Sequence, residues 1–410
     1  MTETKQADPF VLLELAGYQT MASQLRATLT AHPELLTDYE LPLSGSKPVR
    51  VSPLGIYDVV TDFGAPPYPA DSAPHFQAAI DAATRSSNQE CGTVSVPPGH
   101  YSWQSPIELK NAHLRGSVPN SSVRIYWDGA NDEVVLTKRN NSFGDISGIN
   151  FRAGTGIPAV WMDLVEGLVD KHLAIRNIHF QDWTEAAIRS STWVNLHLAD
   201  IRWDASRAAG WAIKLITTHS MNLSSFVLDR FTYDHSAVTV PASGFICVDN
   251  SANASNLGTF KLSNARLEIN RPWTESQTLV HYKLPDSSTM PRSLGLHISD
   301  VTVDVSGPGA MDNAVVLYRD TVDTNGNESL MLTNFRSNGL SQLLGGSWPV
   351  KFPRPPAGHY NHLDLGWASN LSMFHRFAFA DPKPTADGYQ VEVFGPDRVP
   401  LGYIQIKEPI

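Results

Sequence analysis

A short apolar pattern recurs from about residue 145 onward and constrains the fold more than any other feature of the chain. It consists of an apolar residue, two intervening residues, an apolar residue, one intervening residue and a third apolar residue. The copies begin at Ile146, Ile175, Leu198, Leu228, Ile298 and, less regularly, Leu262, and they lie 23 to 36 residues apart. Short strands at such periods are typical of stacked coils, in which each coil buries an inward row against its neighbours.

The pattern therefore predicts an all-β fold, a right-handed single-stranded parallel β-helix with a short N-terminal helical segment. A doubly wound α/β fold would need helical segments between the strands, and the sequence shows no helical periodicity after residue 85. Asn or Asp often precedes the second apolar residue of the pattern. These residues are Asn177, Asp200, Asn264, Asp300 and Asn334.

Stacking the copies also predicts which side chains point outward, because successive side chains alternate along a strand. The first outward ladder contains Asn150, His179, Arg202, Thr232, Arg266 and Thr302. The second contains Arg152, Gln181, Asp204, Asp234, Glu268 and Asp304. A register slip of one residue would turn every one of these side chains to the other face.

The second ladder carries four successive carboxylates, which we expect to lie about 4.8 Å apart from coil to coil. Glycoside hydrolysis uses two carboxyl groups, about 5 Å apart for retention and about 6.5–9.5 Å apart for inversion. The candidate catalytic residues are Asp204, Asp234, Glu268 and Asp304, with Arg202 and Arg266 beside them to hold a substrate carboxylate. The alternative is a solvated surface, because Asp is ordinary at strand ends and Asp/Arg neighbours commonly form exposed ion pairs.

Aromatic residues near the ends of the predicted strands suggest further contacts to a sugar, whose C–H groups form an apolar face. They are Trp183, Trp211, Trp273, Tyr282 and Tyr318, of which Trp183, Trp273 and Tyr282 are the candidate substrate-binding residues. Large aromatic residues are equally common in protein cores, so burial is the competing interpretation.

The region before the repeats contains a characteristic series of motifs. Residues 57–65 end in Asp-Phe-Gly-Ala, residues 71–83 predict a helix with Phe76, Ala79, Ile80 and Ala83 on one face, and residues 92–101 contain a Pro-Pro-Gly turn. This order resembles the start of the coil stack in the pectate-lyase-like β-helix superfamily. That superfamily includes polysaccharide lyases, polygalacturonase-like hydrolases and bacteriophage tailspikes, so the resemblance implies a polysaccharide ligand and a tailspike-like member. The chain departs from the superfamily's usual Gly-Asp-Gly-x-x-Asp-Asp turn, because residues 66–71 are Pro-Pro-Tyr-Pro-Ala-Asp. We assign a helix N-cap role to Asp71 or to Ser72.

Three segments are expected. Residues 1–50 form an N-terminal helical segment with an apolar stripe, which either caps the β-helix or docks onto a partner such as a virion tail or adaptor protein. Residues 51–385 form the β-helix. Residues 386–410 contain two alternating strands that cap its last coil or mediate the contacts of a homotrimer.

Composition excludes several functions. A net charge of −10 argues against nucleic acid, and it disfavours a polyanionic substrate unless basic residues cluster locally. No apolar run approaches the roughly 20 residues that cross a bilayer, so no membrane insertion is expected, and no metal or cofactor motif is present. The two cysteines, Cys91 and Cys247, are interpreted as buried free thiols, with a disulfide as the alternative.

These observations favour a tailspike-like protein that binds and hydrolyses a host surface polysaccharide. The alternatives are a polysaccharide lyase, in which Arg202, Arg266 or Lys283 would neutralise a uronate, and a non-catalytic glycan-binding protein. The polar residues 1–8 lack the features of a signal peptide, so the expected location is the virion if the protein is phage-encoded and otherwise the cell surface or exterior.

Overall fold

The chain divides into two units, Met1–Pro53 and Leu54–Ile410, and every residue described below lies in the second. The computed structural model describes residues 55–84, 91–117, 122–138, 144–165, 172–191, 195–216, 223–235, 243–249, 257–269, 278–283, 292–305, 315–319, 326–338, 342–346, 359–368, 378–379, 383–385, 388–394 and 400–407. The expected N-terminal segment, residues 1–50, lies outside this set and stays a prediction.

One helix and nine strands form the first part of the described chain. The helix, α1, spans Ala73–Ala83. The strands are β1 (Ile56–Asp58), β2 (Gly92–Val96), β3 (Gly99–Trp103), β4 (Ile107–Leu109), β5 (Ala112–Gly116), β6 (Val123–Trp127), β7 (Val134–Lys138), β8 (Ile146–Ala153) and β9 (Val160–Leu164).

Eleven further strands belong to the same sheet, and the copies of the apolar repeat after that in β8 lie on the longer ones among them. The eleven strands are β10 (His172–Ser190), β11 (Asn195–Ile216), β12 (Leu223–His235), β13 (Gly244–Asp249), β14 (Leu257–Ile269), β15 (Thr278–Lys283), β16 (Arg292–Val305), β17 (Val315–Arg319), β18 (Gly326–Asn338), β19 (Gln342–Gly346) and β20 (His359–Ala368).

Strands β1 to β20 form one hydrogen-bonded sheet that coils along the chain. Within the described residues, every pairing among β1 to β19 is parallel, and partners come from successive coils, as in β10 with β11 and β12 with β14. The predicted right-handed parallel β-helix is confirmed. The parallel pairing ends before β20, which pairs antiparallel with β18, a strand arrangement that the repeat pattern did not predict.

The helix α1 covers the first coils. Its apolar face buries Phe76, Ala79, Ile80 and Ala83, as the sequence predicts, and Phe76 makes edge-on ring contacts with Tyr101 and Trp103. The N-terminus is capped by Asp71, whose Oδ1 accepts a hydrogen bond from the Ala73 amide at 3.0 Å. Ser72 instead donates through its hydroxyl to the carbonyl of Ser102.

A sharp bend recurs at one position of seven successive coils and explains the spacing of the apolar pattern. The residue before the second apolar position has a positive φ in each coil: Gly148, Asn177, Asp200, Arg230, Asn264, Asp300 and Asn334, with φ between 46° and 73°. Because the chain turns there, apolar residues three positions apart both face the interior. Gly, Asn and Asp adopt this left-handed conformation more readily than other residues, which accounts for the Asn and Asp preference in the sequence.

The interior is filled by rows of apolar side chains, one from each coil. Phe151 and Phe180 stack with ring centroids 5.8 Å apart, and Phe180 and Trp203 stack at 6.4 Å. Cys91 is partly exposed, Cys247 is fully buried, and the two thiols are not joined in a disulfide. The reduced thiols match the expectation, while the partial exposure of Cys91 differs from it.

A separate four-stranded sheet lies near the end of the chain. Its strands are β21 (Ala378–Phe379), β22 (Lys383–Thr385), β23 (Gly388–Phe394) and β24 (Pro400–Lys407). The two alternating strands predicted after residue 386 are present as β23 and β24, and they pair antiparallel. Whether they cap the coils or join three chains stays a prediction.

Candidate active site

The second outward ladder is confirmed in its predicted register. Gln181 pairs with Asp204, Asp204 with Asp234, Asp234 with Glu268, and Glu268 with Asp304. The four candidate acids therefore stand on four successive coils. The register of the first ladder is also confirmed, from Asn150 through His179, Arg202, Thr232, Arg266 and Thr302, although the side chain of Asn150 is buried and not exposed.

Asp204 is the acid with the most unusual environment. Its side chain is 29% exposed, and its Oδ2 lies 3.8 Å from Nη2 of Arg202 and 3.9 Å from Nε2 of His179. Burial raises the pKa of Asp204, and the charges of Asp234 and Asp182 raise it further, while Arg202 and Arg152 lower it. A carboxyl group with a raised pKa, next to a second carboxylate, is suited to donating a proton.

Glu268 and Asp304 differ because they share one cation, Arg266. Nη2 of Arg266 forms an ion pair with Oε1 of Glu268 and lies 3.7 Å from Oδ2 of Asp304. Of the two roles proposed for Arg266, the structure shows the ion pair with the acids. The structure thus separates the ladder into an Asp204–Asp234 pair and an Arg266–Glu268–Asp304 group.

His179 was not singled out by the sequence, in which it is one of several scattered histidines. It lies between Asn150 and Arg202 in the first ladder, and its side chain is 17% exposed. Burial, together with the charges of Arg202, Arg152 and Arg124, lowers the pKa of His179 to about 4. The imidazole is therefore uncharged at neutral pH. The low pKa of His179 depends on residues from neighbouring coils, which lie far apart in the sequence.

Asp182 anchors the backbone directly beneath this region. Its carboxylate is fully buried and accepts hydrogen bonds from the backbone amides of Ser206 and Arg207 at 2.8 and 2.6 Å. Nε of Arg207 also donates to it at 3.0 Å. The strand that carries Asp204 is thereby fixed to the preceding coil two residues after that acid.

The sugar-stacking role predicted for Trp183 and Tyr282 is wrong. Both side chains are fully buried, as is Trp211, because they fall within β10, β15 and β11 and not in exposed connections. Trp273 lies outside the described residues, as does the side chain of Tyr318. The core interpretation of these aromatics, which the sequence left open, holds for the three described rings.

Exposed rings occur elsewhere on the same face. Tyr68 is 42% exposed, and its ring lies 5.0 Å from that of Tyr126, which in turn lies 5.7 Å from the imidazole of His100. Tyr126 pairs with Arg152 and so belongs to the second ladder, three coils before Asp204. The sequence feature that could have indicated this cluster is the Pro-Pro-Tyr-Pro turn at residues 66–69, where the chain departs from the superfamily motif.

Comparisons with known proteins return no family model and no curated protein that matches the chain. Among solved structures, ORF18 of Geobacillus virus E2 matches with 10% identity and a TM-score of 0.43, covering 87% of this chain and 78% of its own. The surface adhesin PfbA of Streptococcus pneumoniae matches with 12% identity and a TM-score of 0.31, covering 72% and 93%. The mannuronan C-5 epimerase AlgE4 A-module of Azotobacter vinelandii matches with 14% identity and a TM-score of 0.30, covering 72% and 97%. Similarities this low assign no activity to the chain.

No group of three or more His, Cys, Asp or Glu side chains that could hold a metal ion occurs in the described part of the chain. None of its helices, within the same described ranges, has the length and apolar character needed to cross a membrane. The face presents two adjacent carboxyl groups, flanked by arginines and an uncharged imidazole.

Proposed function

We propose that the protein is a glycoside hydrolase that binds a polysaccharide along this face and cleaves it at Asp204 and Asp234. The observation that carries the proposal is the pairing of these two acids on adjacent coils, with the pKa of Asp204 raised by burial and by Asp234. Adjacent coils are about 4.8 Å apart, which is close to the separation of about 5 Å found in retaining glycosidases.

In the proposed mechanism Asp204 is the general acid. Its proton passes to the glycosidic oxygen as the bond from that oxygen to the anomeric carbon breaks, while the Asp234 carboxylate attacks the anomeric carbon and forms a glycosyl ester. Asp204, now ionised, takes a proton from water, whose oxygen displaces Asp234 from the sugar. Glu268 is a poorer candidate because it forms an ion pair with Arg266, and Asp304 is poorer because it stands three coils from Asp204.

The test is incubation with a panel of bacterial surface polysaccharides and plant uronans, reading reducing ends and ultraviolet absorbance. We expect new reducing ends without absorbance, and retention of configuration in the first product seen by NMR. Asp204→Asn and Asp234→Asn should each lose at least about 100-fold in rate, the lower range for acid–base catalysis. Glu268→Gln is the matched control on the same ladder and should lose less than about tenfold.

Two results would overturn the proposal. Absorbance from a new double bond would mean elimination, so the protein would be a polysaccharide lyase. Binding without cleavage of any glycan would mean that the acids are part of a binding surface and the protein is an adhesin. Circular dichroism of each variant separates loss of activity from loss of fold.

The finer assignment is also a proposal: a tailspike-like homotrimer on a phage virion, attached to a tail or adaptor protein through residues 1–50. Its support is the resemblance of residues 57–117 to the superfamily that contains tailspikes, together with an apolar stripe in residues 1–50 that needs a surface to cover it. Analytical ultracentrifugation should give three times the 45.0 kDa chain mass, and a monomer would exclude this assignment.

A further inference from the structure

Cationic and polar donors gather on the four coils before and around Asp204. Arg124 pairs with Asn150, Asn150 with His179, and His179 with Arg202, so these side chains form one row. In the neighbouring row Arg152 stands two coils before Asp204, with Gln181 between them. A chain with a net charge of −10 therefore concentrates three arginines on one side of its candidate acid.

Two buried polar atoms in this cluster have no hydrogen-bond partner among the described residues. Asn150 is only 1% exposed, and although its Oδ1 accepts a hydrogen bond from Nε of Arg152 at 3.3 Å, its Nδ2 has no acceptor. The second atom is Nε2 of His179, whose separation of 3.9 Å from Asp204 exceeds hydrogen-bonding distance. Buried polar atoms in folded proteins are normally paired, so two neighbouring exceptions indicate where a ligand binds.

The charges on this cluster favour an anion. Arg152 and Arg202 act on both His179 and Asp204, while His179 stays uncharged at neutral pH. Oδ2 of Asp204 lies 3.8 Å from Nη2 of Arg202, which is beyond hydrogen-bonding distance. Guanidinium groups bind carboxylate and sulfate oxygens through paired N–H donors, so they can hold either acidic group in a fixed orientation.

We propose that Asn150, Arg152, His179 and Arg202 form a subsite for the carboxylate or sulfate group of an acidic sugar, next to Asp204. This inference rests on the proposed function, because it names the substrate class of the same face. Tyr126 stands one coil before Arg152, and its ring packs against that of the exposed Tyr68. The two rings provide a surface for the neighbouring sugar. Along the helix axis the face thus runs from aromatic to basic to acidic side chains.

The experiment is an NMR titration of the full chain labelled in its histidine rings. His179→Gln identifies the His179 signal. Glucuronate and glucose 6-sulfate are titrated separately, with glucose and acetate as controls. We expect at least one acidic sugar to shift the His179 signal saturably, and neither control to do so at the same concentration.

Arg152→Gln should weaken this binding at least tenfold. The matched control is Arg176→Gln, an exposed arginine on the same coil as His179 but on the other side of the Asn177 bend, which should change binding less than twofold. No saturable shift with either acidic sugar would overturn the inference. An equal shift with acetate would also overturn it, because the site would then bind small anions and not a sugar.

Binding of the acidic sugar is measured without cleavage, so this inference and the proposed function fail separately. Saturable binding with no hydrolysis of any polysaccharide would leave the subsite standing and remove the catalytic role of Asp204. Hydrolysis of a neutral polysaccharide with no binding of either acidic sugar would remove the subsite and leave the catalytic role of Asp204 standing.

Discussion

Nε2 of His179 lies 3.9 Å from Oδ2 of Asp204, and the imidazole does not neutralise the carboxyl group. Burial and three nearby arginines keep the pKa of His179 at about 4, so the ring is uncharged at neutral pH. Burial and Asp234 meanwhile raise the pKa of Asp204. The two residues therefore lie side by side without forming a charged pair.

The first prediction concerns the pH dependence of hydrolysis. If Asp204 acts as a protonated acid, kcat/KM falls as the pH rises through the pKa of this carboxyl group. Arg202 lowers that pKa, so Arg202→Gln should raise it and move the basic limb of the profile to higher pH. The limb should not move in Arg176→Gln. A limb that stays in place or moves to lower pH in Arg202→Gln would show that another group supplies the proton.

The second prediction concerns the cost of keeping Asp204 at this site. A carboxyl group whose pKa is raised on folding binds its proton more tightly in the folded state, so its contribution to stability is lost as the pH rises through the folded pKa. At pH 7 Asp204→Asn should therefore raise Tm, and the gain should shrink as the pH is lowered. Differential scanning calorimetry between pH 4 and 8 measures this. Glu268→Gln, which removes the ion pair with Arg266, should give no such gain.

The third prediction concerns acid sensitivity caused by His179. Its pKa is about 4 in the folded state and about 6.5 in an unfolded chain, so the unfolded state binds the proton first as the pH falls. Stability from this group is complete above pH 6.5 and declines on acidification, by on the order of 2–3 kcal/mol at pH 4. Urea unfolding of His179→Gln should show a smaller loss over this range. His100→Gln, at an exposed ring, should behave as the unsubstituted protein.

The fourth prediction concerns the recurrent bend. Asn177 has a φ of +53°, which a β-branched residue adopts only with strain. Asn177→Val should lower the free energy of unfolding by about 1–3 kcal/mol, while Asn177→Gly should be nearly neutral. Arg176→Val, at the adjacent strand position without a positive φ, is the control. Equal losses for both valine variants in urea unfolding would mean that the bend does not determine the preference for asparagine.

Much of the architecture follows from local sequence. Because side chains alternate along a strand, the spacing of Ile175, Ile178 and Phe180 determines which neighbours face outward, and the register of Asp204 with Asp234 and Glu268 follows from aligning such copies. The helix α1 is equally local, since its apolar residues fall on one face. The preference for Asn and Asp is the sequence feature that reflects the left-handed bend, but the positive φ itself is seen only in the structure.

The sequence could not predict which side chains are exposed or which charged groups form ion pairs. The sequence places Trp183 and Tyr282 near the ends of predicted strands, where exposure is expected. In the structure their strands continue past those ends and both rings point inward. Whether Arg266 contacts Glu268 or a substrate depends on side-chain geometry between coils, which a linear pattern does not specify.

The coiled fold and the order of the outward ladders could be predicted from the sequence alone, because both depend on spacing along a single strand. The half-burial of Asp204, the ion pair of Arg266 with Glu268, and the convergence of Asn150, Arg152, His179 and Arg202 required the folded structure. Those residues lie on three coils, and their burial and electrostatic interactions arise only when the coils stack and exclude water between them.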